Sequence, residues 1–218
     1  MATKGGNYEN VKAIIQSGKP SGLGISIPSQ RTSAELGTRR QLEDALSKIS
    51  ATKKDPSSLT RKMSPSILKY LGNVSDINVS LSSLYQRVSR NVKEYSEIIK
   101  NVGGEQVEIS IKQPESVLDK IARRQAEGKL EYDFDNVPDV IRGRVIVKNE
   151  AQIDDIVKNI RSKVPIVDDE DFFLKPNGWG YRGRNLNIRL SDGSLAEIQI
   201  HTEGSLRAQE KIHPLYEN

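Results

Sequence analysis

Two alternating segments towards the C-terminal end limit most strongly what this 218-residue chain can fold into. Apolar residues occupy every second position on both sides of the sequence Ser-Asp-Gly-Ser at 191–194, namely Leu186, Ile188 and Leu190 before it and Ala196, Ile198 and Ile200 after it. An apolar period of two around a turn that contains glycine predicts two strands joined as a β-hairpin.

The same pattern limits the register of the hairpin. A two-residue Asp-Gly loop would set Ile188 opposite Glu197 and mix the two faces. A three-residue loop that pairs Arg189 with Glu197, Asn187 with Gln199 and Ile188 with Ile198 keeps the faces separate, and we prefer it. One face then carries a polar block: Asn185, Asn187, Arg189, Glu197, Gln199 and His201. An ordinary solvated sheet face would show the same alternation, so this block alone does not establish a site.

The segment 175–183 before the hairpin is rich in glycine and carries basic and aromatic side chains. Its glycines match G-x-G-x-x-G, but a dinucleotide-binding loop follows a buried strand and opens a helix. This segment instead follows an acidic run and opens a strand. Its backbone N–H groups, with Lys175, Arg182 and Arg184 nearby in sequence, suit a phosphate, and Tyr181 offers a flat face to a base.

Four motifs in the same order resemble those of RelA/SpoT-type alarmone synthetases, which transfer pyrophosphate from ATP to the 3′-hydroxyl of a guanine nucleotide. G-Y-R at 180–182 and E-I-Q-I-H-T at 197–202 are similar to the family motifs G-Y-R-S-x-H and E-I-Q-I-R-T. Residues 139–147 resemble its metal-binding strand, and residues 112–120 resemble its ATP-side segment. The resemblance runs from about residue 79 to the end of the chain.

The resemblance implies an active site that uses Mg²⁺. Asp139 and Glu197 would hold the ion, and Glu197 would also draw the proton from the attacking 3′-hydroxyl. Carboxylates with phosphate oxygens are the usual ligands of Mg²⁺, and a lone carboxylate on a β-branched strand is costly unless a cation meets it. Tyr181 would stack on the acceptor base, and Arg144 would be a third catalytic residue. The other residues expected to contact substrates are Lys112, Lys120, Lys175, Arg182, Asn185, Gln199 and Ser116.

Structural roles for several of these residues are the alternatives. Glu197 would instead pair across the strands with Arg189, and Tyr181 would pack as an aromatic residue under the hairpin. Lys120, with Arg123 and Arg124, would form a solvated basic helix face. Three positions also depart from the family pattern, since Ser110, Asn185 and His201 replace an arginine, a histidine and an arginine. These departures leave the acceptor open between a guanine nucleotide, an adenine nucleotide and the 3′ end of tRNA.

Composition excludes several other classes of site. The chain has no cysteine, so disulfides and thiolate metal sites are excluded, and with two histidines a zinc site or an alarmone-hydrolase cluster is not expected. The net charge of +4 is a mild excess that suits an anionic ligand. Neither a membrane-spanning run nor a signal peptide is visible.

Residues 1–78 are poor in large apolar side chains, and we interpret them as a linker-like, helical or disordered N-terminal extension. Short helices are predicted there at Tyr8–Ile15, Ala34–Ile49 and Ser64–Leu71. Residues 79–218 form the predicted synthetase domain. Its expected elements are a long helix ending at Gly103-Gly104, a strand over 107–111, a helix from Pro114, a strand over 140–147, a helix from about Asn149, an extended segment from Pro165 and a short helix within 206–216. The predicted fold is α/β (α+β), a nucleotidyltransferase-like mixed sheet flanked by helices.

We therefore expect an ATP-dependent pyrophosphokinase that acts on a purine nucleotide. The alternative is a regulatory module that binds nucleotides without turning them over. With no hydrolase half, such an enzyme would need restraint, so we expect a growth-inhibiting toxin domain with an antitoxin or immunity protein as partner. It would act as a monomer in the bacterial cytoplasm, delivered there as part of a longer toxin or phage protein.

Overall fold

The computed structural model describes residues 33–52, 55, 57–61, 65–178 and 180–212. The helices are α1 (Ser33–Ala51), α2 (Pro65–Leu71), α3 (Val74–Lys100), α4 (Pro114–Ala126), α5 (Ile153–Arg161) and α6 (Glu203–Ile212). The strands are β1 (Gln106–Ile111), β2 (Ile141–Val147), β3 (Ile166–Asp171), β4 (Arg184–Arg189) and β5 (Leu195–Thr202). A single 3₁₀ turn, Glu150–Gln152, precedes α5. The helix predicted at Tyr8–Ile15 lies outside the described residues.

The strands form one mixed sheet in the order β1-β2-β5-β4-β3. Strands β2 and β5 are parallel, and the other neighbours are antiparallel. The parallel pair is possible because α5, β3 and β4 provide the long crossover that parallel strands need. The predicted α/β fold class, a mixed sheet flanked by helices, is confirmed.

The hairpin is present, but its predicted register was wrong. Asn187 lies opposite Glu197 and Arg189 lies opposite Leu195, a shift of two residues from the predicted pairing. The loop does contain three residues, 191–193, closed by a hydrogen bond from the Leu190 backbone N–H to the Ser194 carbonyl oxygen at 2.9 Å. Gly193 has φ +88° and takes the left-handed position that ends such a loop, which is why the loop begins at Ser191. A shift of two preserves the faces, so the predicted polar block stays together.

The apolar face of the sheet packs under α3, the long helix that begins with an Asn73 side-chain cap. Gly143 on β2 allows the close approach, since a Cβ there would lie 2.0 Å from Ile99 Cδ1. Next to this contact, the Tyr95 hydroxyl donates a hydrogen bond to the Glu197 backbone carbonyl oxygen. The helix therefore fixes the backbone of the central strand from behind while the strand's polar side chains project from the other face.

Helix α1 covers the outer edge of β1. The Thr38 hydroxyl donates to the Ile109 carbonyl oxygen at 3.0 Å, and the Ile111 backbone N–H donates to Gln41 Oε1 at 2.7 Å. Leu42 and Leu46 belong to the same core cluster as the sheet residues. The helices predicted at Ala34–Ile49 and Ser64–Leu71 are confirmed, and the boundary between two units at residue 78 stays a prediction.

Two details of the predicted strands change. The acidic run at 168–171 is not a lead-in to a loop but part of β3, which pairs with β4 at the edge of the sheet. Asp139 was expected on the exposed face of a strand; it lies instead in the turn before β2 and is buried. Among the helices of the described residues, none has the length and apolar character needed to span a membrane.

Candidate active site

The polar face of the sheet is built by the alternation of β2 and β5. Their parallel register sets Arg142 beside Glu197 and Arg144 beside Gln199. On the other side of β5, β4 places Asn187 opposite Glu197, with Asn185 opposite Gln199. Residues that pair across strands project to the same face, so these side chains form one polar surface around β5.

Asp139 lies at the end of this surface, 5% exposed, between two lysines. Its Oδ2 accepts a hydrogen bond from Lys112 Nζ and lies 2.9 Å from Lys120 Nζ. Lys112 follows β1 at the predicted strand-to-helix junction, and Lys120 comes from α4. The other carboxylate oxygen, Oδ1, is buried and has no hydrogen-bond partner within the described part of the chain.

The two lysines favour the ionised form of Asp139. Burial acts to raise the pKa of Asp139, but the ammonium groups of Lys120 and Lys112 outweigh it, so the pKa lies below its ordinary value. Burial lowers the pKa of Lys112, and Asp139 opposes that shift. Asp139 is therefore a carboxylate at neutral pH, with one oxygen neutralised and one unpaired.

Glu197 is held on β5 by its neighbours. Its Oε2 accepts a hydrogen bond from Gln199 Nε2 at 2.8 Å. Burial, and then the negative charge of Asp139, raise the pKa of Glu197, against the opposing effect of Arg142, Lys120 and Lys112. The two carboxylates are thus close enough to repel each other, and a carboxylate with a raised pKa is the better proton acceptor.

Arg142 is a residue of this surface that the sequence analysis did not select. It lies beside Glu197 in the sheet, and its positive charge stabilises that carboxylate. The sequence could have identified Arg142, because it lies two residues from Arg144 on one strand and both side chains must therefore project from the same face. Arg144 itself approaches Glu108 on β1, with Nη1 and Oε2 3.8 Å apart.

Tyr181 joins two of the residues that depart from the family pattern. Its hydroxyl donates to Asn185 Oδ1 at 2.7 Å and lies 3.4 Å from His201 Nε2. His201 is fully buried, and its Nδ1 lies 3.3 Å from the Ser205 hydroxyl at the start of α6. Burial, followed by the charge of Arg144, lowers the pKa of His201 to about 4, so the ring is neutral at neutral pH.

The ring of Tyr181 packs edge-on against Phe172, with centroids 5.1 Å apart. Burial, and then Glu197, raise the pKa of its hydroxyl. A Cβ on Gly183 would lie 2.7 Å from that hydroxyl, which explains the glycine at this position. The predicted stacking role of Tyr181 remains a prediction, and its hydroxyl lies beside Asn185 and His201, two residues of the predicted polar block.

The remaining predicted basic residues lie in the loop before β4 or at the start of that strand. Lys175 and Arg182 are exposed in the loop before β4, where Arg182 Nη2 lies 3.4 Å from Glu150 Oε1. Arg184 was placed near a phosphate by its sequence, but its Nε and Nη2 donate to the two carboxylate oxygens of Asp169 at 2.8 and 3.1 Å. Ser116 is exposed on α4, one turn before Lys120. The structure thus brings together Lys112, Lys120, Asp139, Arg144, Glu197 and Gln199, with Tyr181 and Asn185 beside them.

The carboxylate oxygens of Asp139 and Glu197 fit a divalent cation that a substrate also binds. In the described chain, no three His, Cys, Asp or Glu side chains converge into a metal site made by protein alone. Asp139 and Glu197 nevertheless repel each other, and one buried Asp139 oxygen lacks a partner. Two carboxylates completed by phosphate oxygens form an ordinary Mg²⁺ site.

The family follows from a comparison with known domains. Residues 110–216 match the family model described as the region found in RelA / SpoT proteins. The chain carries a RelA/SpoT domain. The matched region contains Lys112, Asp139 and Glu197, so the resemblance drawn from the sequence motifs is confirmed. No curated protein sequence matches the chain.

Solved structures resemble the RelA/SpoT domain at low sequence identity. The small alarmone synthetase 1 from Bacillus subtilis, bound to its product pppGpp, is 21% identical over 62% of this chain and 78% of its own, with a TM-score of 0.47. A GTP pyrophosphokinase family protein from Streptococcus pneumoniae is 21% identical over 65% and 74%, with a TM-score of 0.45. The complex of the type VI effector Tas1 with its immunity protein is 21% identical over 56% and 60%, with a TM-score of 0.42.

Proposed function

We propose that the RelA/SpoT domain of this chain is a pyrophosphokinase that transfers pyrophosphate from ATP to the 3′-hydroxyl of a purine nucleotide. One observation carries the proposal: the carboxylates of Asp139 and Glu197 are near enough for the charge of Asp139 to raise the pKa of Glu197, and Lys112, Lys120 and two arginines lie around them. Transfer of a phosphoryl-type group depends mainly on positioning and on neutralising charge, and this surface provides both.

The residues divide the chemistry between them. Glu197, with its raised pKa, accepts the proton of the attacking 3′-hydroxyl. Lys112 and Lys120 lie where the polyphosphate of ATP would meet Asp139, and Arg142 and Arg144 lie beside Glu197 and Gln199 to balance the remaining negative charge. Tyr181 lies on the β4 side of this surface and is our candidate for contact with the acceptor base.

Mg²⁺ is the cofactor that we assign to Asp139 and Glu197. When bound, it would supply the charge neutralisation that ATP needs in this reaction. Asp139 would contribute its unpartnered Oδ1, because its Oδ2 is already shared by Lys112 and Lys120.

The identity of the acceptor is tested by a pyrophosphate-transfer assay. The full chain is incubated with Mg²⁺, γ-labelled ATP and one candidate at a time: GTP, GDP, AMP, ADP, ATP alone and tRNA. Because the label stays on the transferred pyrophosphate, a labelled product that migrates with the acceptor identifies it. Absence of transfer to every candidate, with ATP binding intact, would refute the enzyme and favour the nucleotide-binding module.

Glu197→Gln is the decisive variant. Glutamine keeps the oxygen that accepts from Gln199, and the Tyr95 bond goes to the backbone of residue 197, so the fold should survive. Loss of the carboxylate should lower kcat by at least about 100-fold. Glu170→Gln is the matched control, since Glu170 is an exposed carboxylate on β3, opposite Asn185 and two strands from Glu197. Equal losses in both variants would contradict the assignment.

We further propose that this activity makes the chain a growth-inhibiting toxin that acts in the bacterial cytoplasm. Support comes from the chemistry alone, because uncontrolled transfer consumes ATP together with the acceptor and requires a neutralising partner. The test is induction of the full chain in bacteria beside Glu197→Gln at equal soluble level. Growth arrest by the first chain only supports the toxin, and normal growth with active wild-type protein would rule it out.

A further inference from the structure

The junction between β1 and α4 carries Lys112 into the site, and α1 holds that junction from outside. The Gln41 Oε1 of α1 accepts the Ile111 backbone N–H at 2.7 Å. Its backbone carbonyl oxygen accepts a hydrogen bond from Gln113 Nε2 at 3.2 Å. Gln41 is thus bonded to the residues on both sides of Lys112.

A second contact from the same helix holds the far side of the junction. Lys48 lies two turns beyond Gln41, and its Nζ donates to Gln113 Oε1 at 3.1 Å and lies 3.7 Å from Glu115 Oε2. Both residues lie on the face of α1 that meets β1 and α4. The side chain of Gln113 therefore bridges Gln41 and Lys48, which lie two turns apart on α1.

The inner side of the junction is fixed as well. The Tyr85 hydroxyl of α3 donates to the Lys112 backbone carbonyl oxygen, and the Lys112 backbone N–H donates to the Val140 carbonyl oxygen at 2.9 Å. Val140 follows Asp139, the ion-pair partner of Lys112. The Ile111 N–H, the Lys112 N–H and the Lys112 C=O are thus bonded to α1, to the turn that carries Asp139 and to α3, respectively.

We infer that Gln41 is a positioning residue for ATP: it fixes the backbone around Lys112, so that the ammonium group stays on Asp139 and meets the polyphosphate. This inference rests on the proposed function. Gln41 and α1 lie before the region 110–216 that matches the family model, so the matched region alone does not contain all of the support of the site. Because β1 is an edge strand of the described sheet, no strand beyond it accepts a hydrogen bond from the Ile111 N–H, and Gln41 supplies the acceptor.

The test compares three variants of the full chain. Gln41→Met keeps the length of the side chain and removes the acceptor oxygen, whereas Gln41→Glu keeps an acceptor. Glu43→Gln is the control on the exposed side of the same helix, where Glu43 pairs with Arg39 at 2.8 Å. Each variant is measured for ATP affinity by calorimetry with Mg²⁺, for amide hydrogen exchange at Ile111 and Lys112, and for the KM values of ATP and acceptor.

We expect Gln41→Met to weaken ATP binding about fivefold, the size of one net hydrogen bond, and to speed exchange at these two amides. The KM of ATP should rise by a similar factor while the KM of the acceptor stays unchanged. Gln41→Glu should restore ATP affinity, and Glu43→Gln should leave it at the wild-type value.

Unchanged ATP affinity in Gln41→Met, or equal loss in Glu43→Gln, would overturn the inference. If the proposed function were wrong, the wild-type chain would bind ATP without transferring pyrophosphate. The calorimetry and the amide hydrogen exchange of Gln41→Met would then still show whether Gln41 positions the ATP site. A wild-type chain that binds no ATP would refute both.

Discussion

Replacement of His201 by glutamine should change how the stability of the fold depends on pH. His201 is fully buried between Tyr181 and Ser205, and burial together with Arg144 lowers its pKa to about 4 from 6.5. The unfolded chain therefore binds a proton at this ring between pH 6.5 and about 4, while the folded chain does not. Stability that depends on neutral His201 is fully present above pH 6.5 and is lost as the pH falls towards 4.

The size of the effect follows from the two pKa values. At pH 5 the imidazole is almost fully protonated in the unfolded chain and about one tenth protonated in the folded one. The difference in proton binding between about pH 7 and pH 5 lowers the free energy of unfolding by about 2 kcal/mol. Glutamine has no proton to bind in this range, so the variant should lack this component of the pH dependence.

The measurement is urea unfolding of the wild-type chain and His201→Gln at pH 7, 6 and 5. All other ionisable side chains occur in both chains, so their contributions to the pH dependence largely cancel in the difference. We expect His201→Gln to lose stability at pH 7 through poorer packing, and the gap between the two chains to narrow by about 2 kcal/mol at pH 5. A gap that stays constant from pH 7 to pH 5 would show that His201 titrates normally in the fold, and the burial argument would fail.

Two further predictions concern the core and the charge cluster. Gly143→Ala should cost about 1–3 kcal/mol in the free energy of unfolding, because its Cβ would lie 2.0 Å from Ile99 Cδ1. Gly37→Ala is the control, since no atom lies within 4 Å of its added Cβ and alanine favours the helix; thermal unfolding that shows equal effects would contradict the packing argument. Asp139→Asn should destabilise the fold by about 3 kcal/mol, because it leaves Lys112 and Lys120 close together without their shared countercharge. Lys112→Met in the same background should recover part of that loss in denaturant melts, and no recovery would mean that repulsion between the lysines is not the cause.

Local pattern was sufficient for the elements that build the site. The alternation at 186–190 and 196–200 predicted the hairpin and its two faces, because successive side chains of a strand always project to opposite faces. Pro114 at the start of α4 placed Lys112 at a strand-to-helix junction, as observed. The ordered motifs supplied the pairing of distant segments, which periodicity alone cannot provide.

The sequence predictions failed where contacts between distant parts of the chain determine the structure. The hairpin register depended on which loop residue takes φ > 0, and Gly193 settles it in the last loop position. The burial of Asp139 was not visible, because two lysines from different elements compensate for it. The role of α1 was missed because its polar contacts, such as Gln41 to Ile111, join residues 70 positions apart.

The two carboxylates of the site are pushed in opposite directions by their surroundings. Asp139 is as buried as a core residue, yet two ammonium groups keep its pKa low, so it remains an anion suited to holding a cation. Glu197 has an amide and an arginine as its near neighbours, and burial with the charge of Asp139 raises its pKa. Groups whose pKa values are separated in this way take different roles in acid–base chemistry. The lysines that bind Asp139 therefore act on Glu197 in two opposing ways: their own charges lower its pKa, and by keeping Asp139 ionised they maintain the negative charge that, together with burial, raises it.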